Sequence, residues 1–160
     1  MEILPLICNR WAQRWGDDMA SPSSHSLISP SGAHRWLVCT ASPRFEEHLL
    51  SETSVYAEEG TRAHEVAELY VQRRFCGMST RKFNSELKKI QAKDHYDPEM
   101  LETAETYVQY LTERANRFKH LHMVQPEMNV DLSRWIPDGK GQCDCSMIGD
   151  DPLHITDYKH

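Results

Sequence analysis

The stretch "QCDCSMIGDDPLHITDYK", residues 142–159, decides the fold of this chain. Its first seven and last seven residues alternate in polarity with period two, which is typical of β-strands. The intervening "GDDP" has the composition of a four-residue hairpin loop. The sequence therefore predicts a β-hairpin whose second strand continues through Asp157, Tyr158 and Lys159.

The hairpin also predicts which side chains face one another. If Ile148 pairs with Leu153 across the loop, the same register places Asp144 directly opposite Asp157. Opposed residues have Cβ atoms roughly 4.5 to 5.5 Å apart, and two like charges at that distance destabilise a sheet unless a cation lies between them. Period two puts Lys159 on the face of Asp157. The alternative, that these are ordinary exposed charges at a strand end, stays open on spacing alone.

Two carboxylates and an ammonium group in one patch have a recognised chemistry. Carboxylate oxygens bind Mg²⁺ or Mn²⁺, and the ammonium group can orient an attacking water or neutralise charge that develops on a phosphate. This combination of groups suits phosphodiester hydrolysis.

The chain before the hairpin is predicted to be helical. A short first helix is expected to start with Ser29 as N-cap and Pro30 at its first position, and to end near Pro43. The second covers "EEGTRAHEVAELYVQRRFCG", with Thr61 as N-cap, so that His64 lies in the first turn and Gly77 stops the helix.

A third helix is predicted to begin at Asp97 and Pro98, because apolar residues then recur in steps of three and four. The polar and basic connection before it has room for a short helix. After residue 120 the pattern changes to period two, and "HMVQPEMNVDL" reads as a strand with Pro126 at an edge or bulge. The fold class is therefore α/β or α+β, with N-terminal helices followed by a β-meander.

Length and composition predict a single folded unit. The 160 residues are 39% hydrophobic and 26% charged, which is typical of one soluble domain. We expect a flexible lead-in over residues 1–28 and one domain over 29–160. The first twenty residues fit neither a signal peptide nor a membrane span, and five irregularly spaced cysteines suggest reduced thiols, so a cytoplasmic location without membrane attachment is predicted.

The net charge of −6 argues against nucleic-acid binding by bulk positive charge. It does not exclude a metal-dependent nuclease, because bound divalent cations offset carboxylates locally. Basic pairs at 73–74 and 88–89 could contact a phosphate backbone, although such runs are more often solvated faces. Cys143 and Cys145 flank Asp144 but should point to the opposite face, where they serve as small core residues.

Ordered motifs along the chain resemble those of a known nuclease superfamily. "GKGQCD" followed by "LHITDYK" is similar to the second and third motifs of RecB-type nucleases of the PD-(D/E)xK superfamily. Upstream, "SPSGAHRWLVCTAS" and then "YAEEGTRAHEVAEL" resemble an uncharacterised phage-associated branch of that superfamily. The resemblance covers residues 27–160 and implies a partial restriction-endonuclease-like core.

The resemblance also implies roles for individual residues. It makes Asp144, Asp157 and His64 ligands of Mg²⁺ or Mn²⁺ and Lys159 the catalytic lysine, with Glu127 as a further candidate ligand. Glu65, beside His64, points elsewhere around the helix and reads as a solvated first-turn acid.

The expected function is therefore a metal-dependent DNA nuclease of phage or prophage origin. RecB-type enzymes continue past this motif into a helix and more sheet, so the domain is expected to be incomplete at its C-terminal end, with a missing portion or a partner protein completing it. The open alternative is an inactive, truncated nuclease remnant, or a module that binds DNA or a partner.

Overall fold

The computed structural model of the protein describes Ile28 and residues 32–46, 55–136, 139–150 and 153–159. The helix start predicted at Ser29 and Pro30, and nearly all of the predicted lead-in, lie outside these ranges. Within them, no helix is long and apolar enough to cross a membrane.

The described ranges form an α+β protein, in agreement with the predicted class. Five helices precede three strands: α1 (Ala33–Trp36), α2 (Ser42–Glu46), α3 (Val55–Phe75), α4 (Thr80–Gln91), α5 (Glu99–Ala115), β1 (Leu121–Asp131), β2 (Lys140–Gly149) and β3 (Leu153–Thr156).

The first predicted helix is wrong in extent. It ends at Trp36 rather than near Pro43, which instead lies in the first turn of α2. Proline is tolerated there because the first N–H groups of a helix have no partner within the helix.

The helix that carries His64 begins earlier than predicted. Thr61 is not its N-cap, since α3 starts more than one turn before it and the Thr61 hydroxyl donates to a backbone carbonyl one turn back, at 2.8 Å. His64 therefore lies in the third turn of α3, not the first. The predicted stop is confirmed, because the helix ends at Phe75 and Gly77 has a φ of 68°, a conformation that favours glycine.

The connection between the two long helices is itself a helix, α4. Ser79 is its N-cap and accepts a hydrogen bond from the N–H of Lys82 at 3.3 Å. The predicted start of α5 is confirmed, because it begins at Glu99, whose N–H donates to the Asp97 carboxylate at 2.8 Å.

The three strands form an antiparallel sheet in the order β1-β2-β3. The predicted hairpin register is confirmed: Ile148 pairs with Leu153 and Cys145 with Thr156. The strand is shorter than predicted, because β3 ends at Thr156. The ladder therefore stops one residue before the predicted pairing of Asp144 with Asp157.

The side chain of Asp144 explains this early end. Its Oδ2 accepts a hydrogen bond from the backbone N–H of Tyr158 at 2.6 Å, so the chain after β3 bonds to a carboxylate instead of extending the ladder. The ring of Tyr158 is only 4% exposed and belongs to the hydrophobic core.

The core joins the helices to the sheet. Helix α3 contacts α4, α5 and β1, and buried residues come from all three of these helices and from β1 and β2. Among the largest fully buried side chains are Val66 of α3, Met100 and Leu111 of α5, and Met147 of β2. The face of α3 that packs on this core also brings His64 towards the sheet.

Candidate metal centre

Three side chains with metal-binding chemistry meet between α3 and the sheet. His64 comes from α3, Glu127 from β1 and Asp144 from β2, and one ligand atom of each lies within 4.8 Å of the other two. All three residues are partly buried. The sequence proposed these three as ligands, and the structure brings them together; we call them the cluster.

The cluster depends on the packing of α3. Ala63 and Ala67, which lie close to His64 along the helix, are buried in the core, and α3 contacts β1. His64 Nδ1 consequently lies 3.3 Å from Asp144 Oδ1.

Glu127 reaches the cluster through an unusual backbone conformation. Its neighbours Pro126 and Met128 pair with Cys145 and Cys143, so Glu127 stands across from Asp144, which separates those two cysteines. Its φ of 46° is in the left-handed region that non-glycine residues rarely adopt. The sequence gives no signal for this twist beyond Pro126, which was predicted to mark an irregular position.

The charges of the cluster are strongly coupled. Burial, then the negative charges of Glu68 and Asp144, raise the pKa of Glu127 from its usual 4.5 to about 7. The hydrogen bond with Asp144 raises the pKa of His64 despite opposition from burial. Burial also acts to raise the pKa of Asp144, but hydrogen bonds from His64 and Tyr158 outweigh it and lower that pKa. A nearby cation would favour ionisation of Glu127 and relieve its repulsion by Asp144.

Glu68 is a site residue that the sequence reasoning missed. It lies one turn after His64 on α3, is half-buried, and its pKa is raised chiefly by burial. Together with the cluster it lines a cleft of about 710 Å³. The spacing of four residues from His64 was an available signal, because positions i and i+4 share a helix face.

Gln142 also lines this cleft and binds the cluster directly. Its side-chain amide donates a hydrogen bond to Glu127 Oε2. This hydrogen bond fixes the position of one oxygen of the Glu127 carboxylate.

The Asp157 and Lys159 side chains are not members of the cluster, although the Lys159 charge acts to lower the pKa values of both His64 and Asp144. The structure does not group the Asp157 carboxylate with the other three ligand atoms; its Oδ2 instead lies 2.6 Å from Lys159 Nζ. Both side chains are mostly exposed, 65% for Asp157 and 80% for Lys159. Three of the four predicted metal ligands are thus assembled, and the fourth is ion-paired with the predicted catalytic lysine.

Tyr158 connects the cluster to the helices. Its ring makes an edge contact with His64 at 5.3 Å between centroids and lies 4.9 Å from the ring of Tyr107. Its hydroxyl donates to Thr103 Oγ1 at 2.8 Å, while its N–H holds Asp144. One residue therefore orients two members of the cluster.

Other predicted or possible ligands take no part. Glu65 is not a first-turn acid; it lines the cleft beside the cluster without belonging to it, and it forms ion pairs with Arg62 and Lys93. Cys145 is fully buried, as predicted, and Cys143 is partly so. Among the described residues, no second group of three metal-ligating side chains occurs.

Fold and site together define an α+β protein with a candidate divalent-metal centre between a helix and a small antiparallel sheet. One imidazole and two carboxylates form a donor set that fits Mn²⁺ and Mg²⁺. The chain belongs to the DUF2800 family, described as "Protein of unknown function", whose sequence profile matches residues 25–160. No solved structure matches the chain.

Proposed function

We propose that this protein is a metal-dependent deoxyribonuclease of phage or prophage origin that hydrolyses phosphodiester bonds. The observation that carries the proposal is the convergence of His64, Glu127 and Asp144 within 4.8 Å, on elements far apart in sequence. The similarity of the surrounding motifs to RecB-type nucleases supplies the reaction and the substrate class.

The three cluster residues would hold Mg²⁺ or Mn²⁺. When bound, such an ion polarises a phosphoryl oxygen and lowers the pKa of a coordinated water. Glu68 adds negative charge at the rim of the cleft and so increases the attraction for a cation.

Lys159 and Asp157 would act on the substrate side. The exposed Lys159 ammonium can pair with a phosphate oxygen and stabilise the charge that develops there. Its present partner, Asp157, would join the other ligands only by leaving Lys159, and an incoming phosphate competes for that same ammonium.

The test is hydrolysis of single- and double-stranded DNA by the purified protein in Mg²⁺ or Mn²⁺. We expect cleavage that requires the metal and is abolished in Asp144→Asn. Asp94→Asn, which changes an exposed loop carboxylate in the same way, should retain full activity. Absence of cleavage with either metal, or full activity in Asp144→Asn, would overturn the proposal.

A second candidate is a metal-binding module without catalysis, which binds DNA or a partner protein. The separation of the Asp157 and Lys159 pair from the cluster favours it, because a nuclease needs these groups at the scissile phosphate. Calorimetry discriminates the two: Mn²⁺ uptake that Asp144→Asn abolishes, in a protein that cleaves no DNA, would identify the module.

A further inference from the structure

Positive charge is concentrated in one segment of this acidic chain. Residues 73–93 hold seven of the 18 Lys and Arg residues and one of the 24 acidic residues, which gives this segment a charge of +6. The whole chain has a charge of −6. The segment comprises the end of α3, the connection 76–79, all of α4 and the two residues that follow it.

The basic side chains of α4 lie on its outer face. Phe83 and Ile90 are buried and mark the face that packs on the core. Successive residues of a helix are rotated by about 100°, so residues seven apart lie in one row along it. Two such rows of basic residues flank the side of α4 opposite to Phe83 and Ile90, and each row has two members. The rows are Arg81 with Lys88, and Lys82 with Lys89, and all four residues are exposed. We call these four the α4 basic face.

Most of this charge is not neutralised within the protein. In the described part of the chain, the only ion pair on the α4 basic face is between Lys89 and Glu86, at 2.8 Å. Arg73 at the end of α3 lies next to α4 but not on its basic face, because its guanidinium stacks over the ring of Phe83 at 4.4 Å, on the core-facing side of the helix. Exposed and unpaired cations in a chain rich in carboxylates indicate a surface for an external anion.

We propose that the α4 basic face binds the phosphodiester backbone of DNA. Members of a row are separated by about 10.5 Å along the helix, so each row offers two cations to a DNA backbone that carries one negative charge per about 3.4 Å of axis on each strand. An anionic membrane fits less well, because binding at its surface needs an available apolar face and that of α4 is buried in the core. The choice of DNA rests on the proposed nuclease function.

The position of the α4 basic face connects it to the candidate metal centre. Lys82 and Lys93 line a shallow cleft together with Glu65 and Glu68. The same two glutamates line the cleft that contains the cluster, so the two clefts adjoin. DNA bound along α4 therefore has a short route to the metal centre.

The test is DNA binding measured without metal, so that neither cleavage nor the cluster affects the result. Fluorescence anisotropy of a labelled DNA duplex in EDTA gives the affinity between roughly 50 and 200 mM KCl. In a variant with Arg81, Lys82, Lys88 and Lys89 changed to Gln, we expect at least about tenfold weaker binding. The slope of log K against log salt should become shallower by roughly three to four. Glutamine is a good helix former, and circular dichroism will verify the fold.

The matched control changes four exposed basic residues elsewhere to Gln: Arg117, Lys119, Arg134 and Lys140. It should change affinity less than threefold, and a charge-retaining variant with Lys88 and Lys89 changed to Arg should bind like the wild type. Equal losses in the two Gln variants, or no binding by the wild type at low salt, would overturn the proposal. Binding to anionic vesicles but not to DNA would overturn it in favour of a membrane partner. None of these outcomes depends on Asp144, so the nuclease proposal is tested independently by DNA hydrolysis in Asp144→Asn.

Discussion

Three consecutive residues that follow β3 have contrasting environments. Tyr158 is only 4% exposed and is held by contacts to α3, α5 and β2, whereas its neighbours Asp157 and Lys159 are mostly exposed and paired with each other. The buried residue positions the cluster before any ligand arrives. The exposed pair is held only by its own ion pair, which contributes little to stability in water and can be broken at low cost. Preorganisation therefore belongs to the candidate metal centre, and adaptability to the exposed pair, which would meet the substrate under the proposed function.

The largest expected effect is on the buried side of this comparison. Tyr158→Ala should lower the free energy of unfolding by about 3 to 5 kcal/mol, because it removes a buried aromatic ring and leaves a cavity. Urea denaturation measures it. Tyr56→Ala, at a tyrosine that is 83% exposed, should cost less than about 0.5 kcal/mol. Similar losses in the two variants would show that Tyr158 does not anchor the site.

Metal affinity should separate the two aspartates. Asp144→Asn should weaken Mn²⁺ binding at least about 100-fold, because it removes a charged ligand and disturbs His64. Asp157→Asn should change it less than about fivefold, since exposed ion pairs contribute under about 1 kcal/mol. Isothermal titration calorimetry gives both values. A large loss in Asp157→Asn would place that residue in the metal-bound cluster.

Mn²⁺ binding should strengthen with rising pH. The ion binds ionised Glu127 and neutral His64, and both groups have raised pKa values, so protons compete with the metal at low pH. Glu127 titrating near pH 7 accounts by itself for an increase of about tenfold between pH 6 and pH 8, and His64 adds to it, so affinity should increase at least about tenfold. Glu127→Gln should bind more weakly with a flatter pH profile. An affinity that falls over this range would contradict the prediction.

Without metal, the same raised pKa values should make the free energy of unfolding fall as pH rises, whereas metal affinity rises. Because the folded state raises the pKa of Glu127 from 4.5 to about 7, it holds that proton more tightly than the unfolded chain. The contribution of Glu127 to stability is therefore full below pH 4.5 and is lost as pH rises towards 7. The raised pKa of His64 has the same sign: its contribution is full below the ordinary pKa and lost as pH rises through the folded value.

The smallest expected effect is at Lys159. Lys159→Met should change the free energy of unfolding by less than about 0.5 kcal/mol, because the side chain is exposed and its ion pair is solvated. Urea denaturation again measures it. Under the proposed function the same variant loses DNA hydrolysis, which distinguishes a residue that acts on substrate from one that supports the fold. A loss of stability near that of Tyr158→Ala would contradict this division.

Local patterns predicted much of this structure. The hairpin loop fixed the pairing of Ile148 with Leu153, and the pairs up to Thr156 follow from it because a ladder keeps its register. Gly77 after α3 and the Asp97-Pro98 pair before α5 are likewise local features, and both helix boundaries were predicted from these residue types.

The features that the sequence did not predict have separate physical causes. The end of β3 depends on the Asp144 carboxylate, which captures the N–H of Tyr158 from the neighbouring strand. The approach of Glu127 to His64 depends on a backbone twist that no side-chain pattern encodes. The start of α3 was placed too late because Thr61 has the residue type of a cap, although it bonds within the helix.

The hydrogen bond from Tyr158 to Asp144 has a consequence for ion selectivity. One carboxylate oxygen, Oδ2, is held by the amide, and only Oδ1 faces His64. A cation in the cluster would therefore bind Asp144 through a single oxygen. Monodentate coordination suits small ions with octahedral shells, whereas Ca²⁺ collects six to eight oxygens and often takes both from one carboxylate. In the candidate metal centre, the backbone N–H of Tyr158 would thus disfavour Ca²⁺ relative to Mg²⁺ and Mn²⁺.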